Sequence, residues 1–227
     1  WINASNDELD KEIKAGIKRK VIGVVYHKIG DILINYTDYI VITLMVGLSI
    51  VGIVSNYLLI VSSIVALVSK IFDGLTASFG DLIAENNKAK TNSYFEITNL
   101  IIFIISTNVF VGIMFGLDDF ISLWMGEVNT LESSIVPFIA IAVYLQLFRI
   151  PVGGVKTAGG IFEQDKFIPI LEACIYLTFS LLLVAYYGTV GIFLAKIITS
   201  IVLSNWVKAY YLYSIILKTS FLNYLKV

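Results

Sequence analysis

Six apolar stretches of about twenty residues each run through this chain, and they constrain its fold more than any other feature. They lie at residues 21–46, 49–72, 94–115, 134–155, 167–186 and 190–213. A helix rises about 1.5 Å per residue, so each stretch is long enough to cross a hydrocarbon core of roughly 30 Å. Only 15% of the 227 residues are charged, against about 25% in soluble domains. The sequence therefore predicts an all-α integral membrane protein with six transmembrane helices.

The basic residues alternate from one connection to the next, which predicts how the helices are oriented. They precede the first span, recur in the second and fourth connections, and follow the last span, whereas the other three connections contain neither lysine nor arginine. Cytoplasmic loops carry an excess of Lys and Arg. Both ends of the chain are therefore expected in the cytoplasm. The residues that carry this argument are Lys11, Lys14, Lys18, Arg19, Lys20, Lys88, Lys90, Lys156, Lys166, Lys218 and Lys226.

Two short segments flank the six-helix lobe, which we place at residues 21–213. In residues 1–20 an apolar side chain recurs at every fourth position from Leu9 to Ile17. This spacing favours a cytoplasmic amphipathic helix that either lies on an anionic membrane face or connects two membrane halves. Residues 214–227 are expected to form a cytoplasmic tail or a linker to further helices. Because the chain opens on Trp1 and no signal peptide precedes the first span, we expect it to be part of a longer protein.

The composition argues against several classes of function. The formal net charge is −1, and nothing favours a nucleic-acid partner. A single cysteine, Cys174, excludes an intrachain disulfide, and a single histidine, His27, cannot by itself build a His/Cys metal cluster. The Gly-Lys-Ser/Thr ending of a phosphate loop and the HExxH motif are both missing from the sequence. The sequence therefore predicts no metal, no cofactor and no enzymatic activity.

A stripe of polar residues lies within the first apolar stretch. Lys28, Asp31, Asn35 and Asp38 are spaced by three, four and three residues, which places them along one face of a helix. In one interpretation Lys28 pairs with Asp31, and Asp38 meets a single partner on a neighbouring helix for packing specificity. In the other, the stripe is the wall of a hydrophilic cavity where Asp38 binds a proton or Na⁺, or accepts hydrogen bonds from sugar hydroxyls. We take all four residues as candidates for substrate binding and Asp38 as the candidate for a coupling ion.

The fourth apolar stretch carries Gln146 and Arg149, and Pro151 follows at a point where we expect the helix to bend. Both polar residues are candidates for substrate binding. The planar, permanently charged guanidinium of Arg149 suits phosphate oxygens. The alternative is an arginine that extends to cytoplasmic headgroups.

Charged residues in the remaining stretches leave similar alternatives open. Lys196 in the last stretch either snorkels outward or contributes positive charge to a central cavity. Glu172 in the fifth stretch either pairs with a lysine of the fourth connection, Lys156 or Lys166, or acts as a gate. Lys70 and Asp73 have the spacing of an interfacial ion pair.

Several stretches of sequence resemble a known family over nearly the whole chain. These stretches are GDILINYTDYIVI (30–42), GLSIVGIVSNYLLI (47–60), DLIAENNKAK (81–90), ISLWMG (121–126), KTAGGIFEQDKFIPILEA (156–173) and GTVGIFLAKIITS (188–200). The chain resembles the second six-helix half of the polysaccharide flippases (Wzx type) of the MOP exporter superfamily.

The resemblance implies one lobe of a two-lobe transporter with a central cavity. Such a transporter moves a polyprenyl-pyrophosphate-linked oligosaccharide repeat unit across the bacterial cytoplasmic membrane for surface polysaccharide biosynthesis. The resemblance also implies basic cavity residues for the pyrophosphate, here Arg149 and Lys196, and coupling to H⁺ or Na⁺. Membrane lipids and polysaccharide assembly proteins are the further partners that it implies.

Besides a six-helix scaffold protein, which would not need the polar stripe, two other functions stay open from the sequence. The first is an ion-coupled exporter of small molecules or drugs in the same superfamily. The second is a membrane enzyme of polysaccharide assembly, although polymerases of that kind usually need a large basic outer loop. The longest outer connection, residues 116–133, contains neither lysine nor arginine.

Overall fold

The computed structural model describes the backbone of residues 11–217 and the side chains of residues 13–217, and that part of the chain is helical without any strand. The helices are α1 (Lys11–Met45), α2 (Leu48–Ala84), α3 (Lys88–Met125), α4 (Val136–Phe148), α5 (Ile150–Ala158), α6 (Ile168–Tyr187), α7 (Val190–Thr199) and α8 (Asn205–Tyr211). Two 3₁₀ turns, Glu127–Asn129 and Ser133–Ile135, precede α4, and π-helical segments Ser200–Ser204 and Leu212–Leu217 flank α8. The predictions for residues 1–10 and for the tail beyond residue 217, including Lys218 and Lys226, lie outside the described residues.

Within the described residues, five helical stretches are long and apolar enough to cross a membrane. They are Leu48–Ala84, Lys88–Met125, Ser133–Ala158, Ile168–Tyr187 and Val190–Leu217, and they contain the second to sixth apolar stretches of the sequence. Helix α1 has 35 residues, which is more than a span needs. It is not among the five, and its hydrophobic part is interrupted by Lys28, Asp31 and Asp38. The all-α fold is confirmed for the described residues, and the five apolar helices agree with a membrane protein, whereas six spans remain a prediction.

The turn between α2 and α3 is much shorter than the sequence suggested. We expected a connection over residues 80–93, but only residues 85–87 separate the two helices. Asn87 caps α3 by accepting a hydrogen bond from the Lys90 amide at 3.1 Å. Asn86 adopts a left-handed conformation with φ of 54°, which asparagine tolerates better than most residues. The helices therefore extend past the apolar stretches, because polar residues can continue a helix outside the membrane.

The helices of the described residues pack in two groups. Helix α6 lies between α1 and α7, while α3 packs on α4 and α2 packs on α5. Helix α1 approaches α6 closely at Gly30, where an added Cβ would lie 2.7 Å from the carbonyl carbon of Pro169. The apolar core around α2, α3 and α4 includes the fully buried Val54, Ile102 and Ile139. The polar residues of the candidate site instead gather where α1, α4, α6 and α7 meet.

A tyrosine connects α2 to the segment that follows α3. Tyr57 is fully buried, its hydroxyl donates to Asp118 at 2.6 Å, and it accepts from the amide of Leu131 at 3.0 Å. Buried polar groups that lose their partner cost more than the mean value of a hydrogen bond. The Tyr57 hydroxyl therefore fixes the end of α3 and the following connection against α2.

We expect Tyr57→Phe to lower the free energy of unfolding by about 1–3 kcal/mol, because it leaves the Leu131 amide without its acceptor. Equilibrium unfolding in mixed micelles measures this change. Tyr186→Phe is the matched control, because Tyr186 is 82% exposed and its replacement is expected to change little. Equal stabilities of the Tyr57→Phe protein and the unmodified protein would show that the hydroxyl contributes nothing.

Candidate functional site

A polar cleft lies between α1, α4, α6 and α7. It encloses about 480 Å³ of empty space, part of it open to the surroundings. Apolar side chains such as Ile34 and Ala142 form part of its lining, but most of the lining residues are polar or charged. The polar and charged residues that line it are Asn35, Gln146, Arg149, Glu172, Tyr176 and Lys196, together with Thr199 and Ser200.

The first ion-pair group of the cleft centres on Asp38. Its Oδ1 accepts a hydrogen bond from the Tyr176 hydroxyl, and its Oδ2 forms a salt bridge with Nζ of Lys196. Asp38 is 3% exposed, whereas 27% of the Lys196 side chain is exposed. The aspartate is therefore a buried anchor, and the ammonium group of Lys196 is the part of the pair that reaches the cleft. Lys196 does not snorkel away from the lobe, because its ammonium group pairs with Asp38 at the cleft.

The second group centres on Glu172. Its Oε1 accepts from Nη1 of Arg149 at 3.1 Å and from the hydroxyl of Ser204, and its Oε2 lies 3.0 Å from Nζ of Lys208. The alternative in which Glu172 pairs with Lys156 or Lys166 is wrong, because its cationic partners are Arg149 and Lys208.

The partners of Glu172 lie at or near interruptions in the α-helices. Arg149 stands between α4 and α5, where the α-helix is interrupted just before Pro151. The interruption lies where we expected a bend, since proline cannot continue the hydrogen-bonding pattern of the preceding turn, and the bend itself stays a prediction. Ser204 ends the π-helical segment that separates α7 from α8, and Lys208 lies one turn further on. Single π-turns are frequent at functional sites.

The structure brings together part of the predicted set. Asn35, Gln146, Arg149 and Lys196 line one cleft, and Asp38 joins them through its pair with Lys196. Lys28 and Asp31 are exposed and do not line it, and among the described side chains no ion pair joins these two residues. The expected Lys70–Asp73 pair forms at 3.0 Å, and both side chains are largely exposed.

Sequence reasoning missed Tyr176, Ser204 and Lys208. Tyr176 follows Glu172 by four residues, so the two share one face of α6, and this spacing could have indicated it. Ser204 and Lys208 carried no such signal, because a π-helical segment shifts the faces of the helix on either side of it.

A third polar group holds the segment between α5 and α6, residues 159–167, against α1. Oδ1 of Asp165 lies 2.9 Å from Nε2 of His27, and Oδ2 pairs with Nζ of Lys156. Burial raises the pKa of the Asp165 carboxyl, but the hydrogen bonds and charges of His27 and Lys156 outweigh burial and hold it below its ordinary value. The ionised carboxylate therefore stabilises this connection.

The lowered pKa of Asp165 predicts the pH dependence of this contact. The stabilisation is complete above the ordinary pKa of about 4 and is lost as the pH falls through the lower pKa of the folded state. We expect amide exchange in residues 159–167, corrected for its intrinsic rate, to lose protection between about pH 6 and about pH 2. Asp165→Asn should show low protection at both values. Equal protection of the unmodified protein across this range would contradict the prediction.

Comparison of the chain with protein-family models, with curated proteins and with solved structures found no significant match.

Proposed function

We propose that this chain forms one six-helix lobe of a transporter that flips a polyprenyl-pyrophosphate-linked oligosaccharide across the bacterial cytoplasmic membrane. The observation that carries the proposal is the cleft between α1, α4, α6 and α7, which is polar inside a lobe whose outer helix faces are apolar. A glycan cannot enter hydrocarbon without losing its hydrogen bonds to water. A polar cleft that opens to one side lets the sugars cross while the polyprenyl tail stays in the lipid.

The chemistry of the cleft suits both parts of such a substrate. The side-chain amides of Asn35 and Gln146 line the cleft and can donate and accept hydrogen bonds with sugar hydroxyls. Arg149 and Lys196 supply two cations for a pyrophosphate. In this proposal a second lobe provides the opposite wall, as in transporters built from repeats with the substrate site between them. The orientation that we propose, with both ends in the cytoplasm, follows from the basic connections.

Coupling to H⁺ or Na⁺ would involve Asp38 in this proposal. Both oxygens of its carboxylate already have partners, Tyr176 and Lys196. An ion that binds there must therefore displace the ammonium group of Lys196, which links the coupling ion to the charge that faces the substrate.

An ion-coupled exporter of small molecules is the second candidate, and the mixed lining of the cleft favours it. Apolar side chains such as Ile34 and Ala142 lie beside polar and charged groups, and small-molecule sites usually combine the two. Such an exporter would require no contribution to polysaccharide synthesis.

Deletion of the gene in its host separates the two candidates. For a flippase we expect lipid-linked oligosaccharide repeat units to accumulate on the cytoplasmic side, with loss of the surface polymer and its recovery when the intact gene is returned. Normal polymer without accumulation would refute the flippase, and increased sensitivity of that strain to toxic cations would then favour export of small molecules.

A further inference from the structure

The carboxylate of Glu172 is surrounded by the donors that a bound phosphate would need. A guanidinium, an ammonium and a hydroxyl converge on its two oxygens from Arg149, Lys208 and Ser204. Arginine and lysine are the residues with which proteins most often bind phosphate oxygens. Glu172 itself is 5% exposed and lies on the wall of the cleft. An acidic side chain thus occupies an anion-binding set of donors.

The charges of the cleft do not balance at this point. Two cations, Arg149 and Lys208, share the single negative charge of Glu172, whereas Asp38 and Lys196 neutralise each other. The side chains of Arg149 and Lys208 are 22% and 25% exposed. Arg149 lines the cleft, and Lys208 stands behind Glu172, which lines it too. The uncompensated charge of the cleft is therefore positive and lies beside Glu172.

A further donor on the same wall has no partner among the described residues. The hydroxyl of Thr199 is buried and makes no hydrogen bond, although the residue is 4% exposed and lines the cleft. Buried polar groups without partners are rare in folded proteins. Thr199 therefore leaves one buried hydroxyl beside the cleft without a hydrogen bond among the described residues.

We propose that Glu172 is a built-in competitor for the anion that the cleft binds. It holds Arg149, Lys208 and Ser204 while the cleft is empty and gives them up when a phosphate-bearing ligand enters. This inference rests on the proposed function, in which that ligand is the pyrophosphate of the substrate, and it assigns Glu172 as the residue that sets the affinity.

The competition solves a physical problem of transport. Cations without partners are costly in a membrane-embedded site, so an internal carboxylate keeps the donors assembled between transport cycles. The same carboxylate weakens the apparent affinity of the ligand, because binding must first displace it. A transporter needs this weakening, since a ligand that binds too tightly is not released.

Binding of inorganic pyrophosphate to the purified protein in phosphatidylcholine nanodiscs tests the inference by isothermal titration. We expect Glu172→Gln to tighten binding by about tenfold or more, because it removes a negative charge a few ångströms from the bound anion. Glu163→Gln is the matched control: Glu163 lies 3.7 Å from Arg19 outside the cleft, and its replacement should leave the affinity unchanged. Arg149→Ala should weaken binding in every background.

Glu172→Asp covers the case in which Glu172→Gln fails to fold, because it keeps the charge but retracts the carboxylate by one methylene from its three donors. We expect several-fold tighter binding from this variant. Unchanged affinity in the folded Glu172→Gln variant, or in Glu172→Asp if only that variant folds, overturns the inference. If binding still depends on Arg149 in that case, the proposed function stands. No binding by any form overturns the inference and the phosphate part of the proposed function together.

The phosphate group of an anionic lipid is a second source of the same chemistry. Repeating the titration in nanodiscs that contain phosphatidylglycerol distinguishes the sources. Pyrophosphate binding that is as strong in these nanodiscs supports the substrate as the ligand, whereas binding that anionic lipid suppresses overturns that assignment in favour of a headgroup.

Discussion

Replacement of Asp38 by asparagine is expected to abolish transport and to lower the free energy of unfolding by about 3–5 kcal/mol, while the protein still inserts into the membrane. The asparagine leaves the ammonium of Lys196 without the carboxylate that neutralises it. The Tyr176 hydroxyl also loses its charged acceptor. Accumulation of lipid-linked oligosaccharide at equal protein abundance measures transport, and unfolding in mixed micelles measures stability.

The double variant Asp38→Asn/Lys196→Met separates a structural role of the pair from a functional one. Replacing both partners removes the unpaired charge, so most of the lost stability should return. Transport should remain absent if the charges of the pair take part in it, and it should return with stability if the pair only fixes the packing. Asp73→Asn is the matched control, since Asp73 forms an exposed pair with Lys70 that contributes about 1 kcal/mol or less. Unmodified transport by the Asp38→Asn protein would refute the functional role.

Local spacing predicted the elements of this fold but only some of the contacts of the site. A stretch of apolar residues long enough to span a bilayer leaves few alternatives to a helix, so the five long apolar helices could be predicted from the apolar stretches of the sequence. The break at Arg149 was equally predictable, because Pro151 acts through covalent geometry and not through packing. Lys70 and Asp73 were paired correctly since both lie on one helix.

The partners of the buried carboxylates depend on which helices are neighbours, and spacing along one helix does not contain that information. The face of α1 that packs against α6 and the segment before it includes Gly23, Gly30 and Asp38, so it shares only Asp38 with the polar stripe. Lys28 and Asp31 therefore remain exposed although they share the spacing of Asp38. In the same way, nothing in the sequence predicted that Lys208 of α8 lies next to Glu172 of α6.

Arginine at position 149 is expected to matter through its shape as well as its charge. Arg149→Ala removes one of the two cations beside Glu172 and the planar fork that suits phosphate oxygens. We expect it to weaken substrate engagement by about 10- to 100-fold, the range that corresponds to a charged hydrogen bond of about 1.5–3 kcal/mol. Arg149→Lys keeps the charge but not the fork, so its loss should be clearly smaller than that of the alanine variant.

The two variants are compared through the substrate concentration at half-maximal transport and through pyrophosphate affinity in nanodiscs. Arg19→Ala is the matched control, because Arg19 is the only other arginine of the chain and its side chain is 65% exposed away from the cleft. Equal losses from Arg149→Lys and Arg149→Ala would show that a positive charge at this position, without the planar fork, contributes nothing to substrate engagement. A loss in maximal transport alone, with unchanged affinity, would instead place Arg149 in the conformational change, since an arginine that binds the ligand must alter the concentration at which the cleft fills.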